Sequence, residues 1–248
     1  MPFADAAGLL QAWEDASPLP MPERALRLAA VANEQAPLDD ITHWTVRRRD
    51  AALFDVRLRH FGRFADGLVP CPHCGEPLEM RLDLLQLRCA PHADDEQPRQ
   101  LQVGDVAITW RLPTAADLMV AAAEDDERLA RARLLACCVA SAMRGGDALD
   151  VQHVLAHEPV IGERVADAIA AEHGDVPTSL AIECPACGRA AEVPFAIETF
   201  LWREVDAWAR RTLQEVHALA RAYGWSEHDI LALSPARRRL YLEMAAPA

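Results

Sequence analysis

The stretch Cys71–Met80, CPHCGEPLEM, returns in altered form at Cys184–Val193 as CPACGRAAEV. Each copy places a proline and one other residue between two cysteines and follows them with glycine. Each also carries a glutamate, Glu79 or Glu192, eight residues after the first cysteine. A C-P-x-C-G knuckle is a tight turn in which proline fixes the chain's direction of approach and glycine permits the positive φ that closes it. Two thiolates converge at such a turn, so two knuckles supply four, the full tetrahedral shell of a structural zinc. Cys71, Cys74, Cys184 and Cys187 are therefore expected to hold one Zn2+ in a zinc ribbon. A closed shell of thiolates leaves no open position for water or substrate, so the metal is expected to be structural. Its binding would contribute on the order of 10 kcal/mol or more.

Spacing alone leaves alternatives open. Cys89 and His92 could complete a local finger with Cys71 and Cys74. A redox dithiol is a further possibility, although no β-α-β context surrounds either pair. The chain has seven cysteines, an odd number, so pairing them all in disulfides within one chain is impossible.

Around the knuckles, texture divides the chain into three regions: 1–66, helical; 67–196, a ribbon region with a helical insertion at about 113–175; and 197–248, helical again. In the first, VRRRDAALFDVRLRHFG turns Ala52, Leu53, Val56, Leu58 and Phe61 to one face, with Gly62 as a stop. LEMRLDLLQLRC alternates partly between apolar and charged residues, and QLQVGDVAITWRLP reads as two short strands about the turn at Gly104–Asp105. Thr114 with Asp117 makes a capping-box start for one or two helices running through ACCVASAM. Another helix is expected in IGERVADAIAAEHG, stopping at Gly174. Strands are expected on either side of the second knuckle. The last fifty residues form a long amphipathic helix with Gly224 at its end, then short helices capped at Ser226 and Ser234. The expected fold is α+β, mainly helical, with a small four-cysteine ribbon split by the insertion.

With 248 residues, half of them hydrophobic, the chain can bury a substantial core. No apolar run approaches the ~18 residues of a membrane span, and the acidic N-terminus lacks the features of a secretory signal. A cytoplasmic location is expected. The net charge of −13 argues against general binding to nucleic acid or anionic membranes. All 25 basic residues are arginine. His153 and His157 form an HxxxH pair that reads as two surface histidines. At least one of Cys137 and Cys138 reads as a small core residue, and the arginine runs at Arg47 and Arg237 as solvated faces or intramolecular ion pairs. There is no phosphate loop, nucleophile elbow or HExxH, so no catalysis is expected.

The C-terminal stretch FLWREVDAWARRTLQEVHALARAYGWSEHDILALSPARRRLYLEM resembles the baseplate hub assembly chaperone-like family of contractile phage tails and contractile injection systems. Phe200-Leu201-Trp202, Tyr223-Gly224-Trp225-Ser226-Glu227 and Arg237-Arg238 through Tyr241-Leu242 carry that resemblance. The order RDAALFDVRLRHFG, CPHCG, RLPTAADL, CPACG is similar to the order of motifs in the same family. Ala196-Ile197-Glu198 stands where an Asp-Ile pair is expected before FLW, so any role of that aspartate does not carry over. The resemblance implies a non-enzymatic assembly factor whose partner is a hub or spike protein of a contractile particle. A partner surface there would include Trp202, Trp208, Trp225, Arg237, Arg238 and Tyr241; packing of all three tryptophans in the core is the reading that stands against it. Two alternatives stand beside it: a permanent baseplate component, and a zinc-ribbon regulator contacting nucleic acid through SPARRRLYLEM.

Overall fold

In the computed structural model, residues 6–33, 36–173 and 178–245 are described; the stop expected at Gly174 lies outside them. The chain opens with α1 (Ala6–Ala16), α2 (Met21–Val31), α3 (Leu38–Thr42) and α4 (Val46–Phe61). The Thr45 hydroxyl caps α4 by accepting from the Arg48 amide, and Gly62, at φ 85°, ends it.

β1 (Phe64–Pro70) and β2 (Pro77–Asp83) then form an antiparallel hairpin in register from Phe64↔Asp83 to Pro70↔Pro77. The partly alternating stretch LEMRLDLLQLRC changes character at Asp83. Its carboxylate accepts from the Leu85 amide (3.2 Å) and starts the single turn α5 (Leu84–Leu87).

β3 (Arg99–Val103) and β4 (Val106–Trp110) flank the Gly104 turn. α6 (Ala115–Ala122) begins with the expected capping box: the Thr114 hydroxyl accepts from the Asp117 amide, and the Asp117 carboxylate accepts from the Thr114 amide. α7 (Glu127–Cys138) runs directly into β5 (Val139–Arg144), which turns through Gly145–Gly146 into β6 (Asp147–Leu149). The insertion is thus not purely helical. β5 and β6 complete an antiparallel sheet of order β3-β4-β5-β6, which α8 (Val151–His157) and α9 (Pro159–Glu172) help to cover.

β7 (Ser179–Glu183) and β8 (Ala190–Pro194) form the second hairpin, and α10 (Ile197–Tyr223), α11 (Glu227–Leu231) and α12 (Pro235–Ala245) close the chain. The fold is α+β and mainly helical. No described helix is long and apolar enough to cross a membrane.

Burial is organised around α10, whose 27 residues extend for ~40 Å. Ile197, Leu201, Trp202 and Val205, from its first half, enter the main core with Leu26 and Leu28 of α2 and Leu53 and Val56 of α4. Its second half leaves that core and meets α11 and α12 through Val216, Leu219 and Ile230. A separate core under the four-stranded sheet gathers Val106, Ile108, Trp110, Val139, Ile161 and Val165. The two ribbon hairpins bury only a small cluster of their own around Cys71, Leu78 and Cys184.

Candidate metal centre

Each knuckle sits at the tip of one hairpin, and the two tips repeat the same backbone bonding. In the first, the Cys71 amide donates to the Glu76 carbonyl (2.8 Å) and the Gly75 amide to the Cys71 carbonyl (2.9 Å). In the second, the Cys184 amide donates to the Arg189 carbonyl (3.0 Å) and the Gly188 amide to the Cys184 carbonyl (2.8 Å). Gly75 and Gly188 stand at φ 77° and 67°, where a side chain would strain the turn.

The hairpins meet tip to tip, bringing Cys71, Cys74, Cys184 and Cys187 together with their sulfurs all within 4.8 Å of one another. Across the interface, Cys71 Sγ lies 3.9 Å from Cys187 Sγ and Cys74 Sγ 3.7 Å from Cys184 Sγ. A tetrahedron of sulfurs bonded at ~2.3 Å to a central ion has edges of ~3.8 Å, whereas a disulfide needs ~2.05 Å. The spacing therefore fits a metal and excludes bonded sulfurs in this arrangement. Cys71 and Cys184 are buried, while Cys74 and Cys187 lie toward solvent.

The electrostatics favour a thiolate at one position before the ion is counted. The His73 amide donates to Cys71 Sγ (3.4 Å) and, against burial, brings its pKa down to about 6. At Cys74 the Glu76 amide also favours the thiolate, but burial and the other three sulfurs outweigh it and push the pKa up to about 12. Four thiols this close cannot all ionise without a cation among them.

Cys89 and His92 stand outside the cluster, which is the sole metal-ligating group of three or more among the described residues. Cys89 Sγ points to the Leu87 carbonyl (3.9 Å), and the His92 amide donates to the Asp95 carboxylate (2.8 Å). His153 and His157 stack on each other at 4.1 Å, with His157 Nδ1 at 2.9 Å from the His153 carbonyl. Cys138 is core, and burial pushes its thiol up to about 12.

The residues expected on a partner surface divide. Trp202 is buried in the main core beneath the Arg24 guanidinium, 4.5 Å from the ring centre, because it shares the apolar stripe of Leu201 and Val205. Trp208 packs against the same core and is partly buried. Trp225 stacks on Tyr223 at 4.7 Å and meets Tyr241 edge-on at 4.9 Å, forming an aromatic lock at the α10–α12 corner. Arg238 is also not a surface residue. It is buried, donates to Glu215 (3.0 Å) and to the Leu233 carbonyl (2.9 Å), and ties α12 to α10. Arg237 is exposed.

The arginine run in α4 is also mostly interior. Arg47 pairs with Asp95 at 3.4 Å and Arg49 with Asp50 and Glu198, while Arg48 reaches Glu96 and lies over the Trp44 ring. Comparison with known proteins returns no matching protein-family model, curated protein or solved structure.

Proposed function

We propose that this chain is a non-enzymatic, zinc-stabilised assembly factor that binds a hub or spike protein of a contractile, phage-tail-like particle in the cytoplasm. Four thiolates at tetrahedral spacing favour zinc, which carries no redox chemistry and takes this shell as a structural ion. Cys71, Cys74, Cys184 and Cys187 would all be consumed as ligands. What zinc supplies is then a cross-link between two hairpins that bury little apolar surface by themselves.

The observation that carries a binding role is the outward face of α12. Ala236, Leu240 and Met244 follow one another at helical i, i+4 steps and are exposed, Leu240 at 54% and Met244 at 71%. Arg237 and Arg239 stand beside this stripe, and neither makes an ion pair among the described residues. An apolar stripe rimmed by unpaired arginines suits a groove with acidic edges on a client. The particle is named on the strength of the C-terminal resemblance and its motif order. The nucleic-acid alternative is weakened by Arg238, the middle member of the basic run, whose charge is spent on Glu215.

The test is a pull-down of the tagged protein from native lysate, compared by mass spectrometry with the purified particle. Hub or spike subunits captured by a protein missing from the finished particle are the expected result for a chaperone. Fixed stoichiometry in the particle would make it a permanent component. Absence of both associations would refute the proposal.

A further inference from the structure

We propose that the groove between the two ribbon hairpins receives an extended segment of a partner protein, alternating apolar and basic residues, as an added β-strand. The groove has a volume of about 720 Å3 and is lined by Leu68, Glu79 and Met80 of the first hairpin and Ile182, Glu183 and Pro185 of the second. Its walls come mainly from β2 and β7. Among the described residues β2 pairs only with β1, and β7 only with β8, so each keeps one unpaired edge of backbone donors and acceptors. Such edges are usually blunted by proline, lysine or a bulge. β2 carries Pro77 at the groove, whereas β7 has none of these across its five residues, which span ~17 Å.

The side chains define the guest. Along β2, Leu78 and Met80 turn inward while Glu79 faces out; along β7, Ile182 turns inward and Glu183 out. A strand laid beside either edge has the same period of two. It therefore presents alternate residues to an apolar floor and to a carboxylate rim. Glu79 and Glu183 are exposed, and their carboxylates make no ion pair or hydrogen bond among the described residues. The contrast with the internal repeat is informative. Glu192, which occupies the position of Glu79 in the second copy, accepts from the Ser179 hydroxyl at 3.0 Å, so only the copy bordering the groove keeps its carboxylate uncommitted. Charge complementarity selects arginine or lysine opposite these acids and Val, Ile or Leu opposite the floor. The groove is a different surface from the α12 stripe, and its guest need not belong to a contractile particle.

The probe is a dye-labelled octapeptide of alternating arginine and valine, titrated with the full chain by fluorescence anisotropy. Saturable binding is expected, weakened about tenfold in the Glu79→Lys/Glu183→Lys protein and redirected there to a glutamate–valine peptide. Glu79→Gln/Glu183→Gln keeps the test available if charge reversal disturbs folding, and unchanged metal content shows the ribbon intact in either variant. Methylating alternate peptide nitrogens, which removes backbone donors, is expected to weaken binding comparably. A Glu227→Lys control on α11 is expected to bind like the parent. Affinity indifferent to both groove variants would overturn the proposal. So would equal loss in the control, undiminished binding of the methylated peptide, or a dimer in sedimentation that the peptide must first dissociate.

Discussion

Replacing Cys184 with serine removes one corner of the four-sulfur cluster, and its cost can be worked from chain connectivity. Cys74 and Cys184 are 110 positions apart. On chain-entropy arithmetic a cross-link closing a loop of that length restricts the unfolded state by ~4.7 kcal/mol. For a chain of this size each kcal/mol moves Tm by ~2–4 °C. Loop closure alone, a lower bound that leaves out the metal–sulfur bonds, should therefore lower Tm by about 9–19 °C, while the main core around α2, α4 and α10 keeps its helical signal. The assay pairs a circular dichroism melt with metal content by mass spectrometry. The Cys184→Ser protein should carry no zinc, and Cys89→Ser should carry one ion per chain and melt like the parent. Zinc retained in Cys184→Ser and lost in Cys89→Ser would refute the site assignment. Metal lost with a Tm change under ~3 °C would refute the loop-closure reasoning instead.

Arg238→Ala strands the Leu233 carbonyl and Glu215 and should cost about 1–3 kcal/mol in chemical denaturation. Arg237→Ala next to it should change stability by less than ~0.5 kcal/mol and reduce client capture. Gly224 caps α10 at φ 68°, so Gly224→Ala should destabilise by about 1 kcal/mol, seen as faster amide exchange in α11 and α12. Burial opposes the charge on Asp117, but the bonds from Arg111 (2.6 and 3.0 Å) and Thr114 prevail and hold its carboxyl below the ordinary 3.8. A depressed carboxylate stabilises the fold above its unfolded pKa and loses that contribution as pH falls through the folded value. Acid melts should therefore lose this contribution below about pH 4, and Asp117→Asn should flatten that part of the curve.

Features governed by nearby residues were legible in the sequence. The knuckles declare their turns through proline and glycine, Thr114 and Asp117 cap across three positions, and Gly224 stops α10 where its apolar stripe ends. β5 was hidden because VASAM follows α7 without a break and consists largely of residues at home in a helix. Its pairing with β4, from Val106↔Arg144 to Trp110↔Val139, overrides that preference. The Gly145–Gly146 pair, a hairpin signal, was the clue to β6. Long-range pairs were not legible. The sequence leaves Arg47, Arg49 and Arg238 between solvated faces and intramolecular ion pairs, and only the fold brings Asp95, Glu198 and Glu215 to them. The core reading of Trp202 was legible, since it lies on the stripe with Leu201 and Val205.

The separation of the two knuckles also has a consequence on the ribosome. At ~5–20 residues per second, synthesis reaches the second knuckle roughly 5–20 s after the first has been made. Throughout that interval the nascent chain displays two thiols of an incomplete shell. The insertion, with its own sheet and core, can form in the meantime. Shortening that delay, or supplying zinc while it lasts, should raise the yield of correctly closed protein, whereas oxidant during the same seconds should trap Cys71 with Cys74.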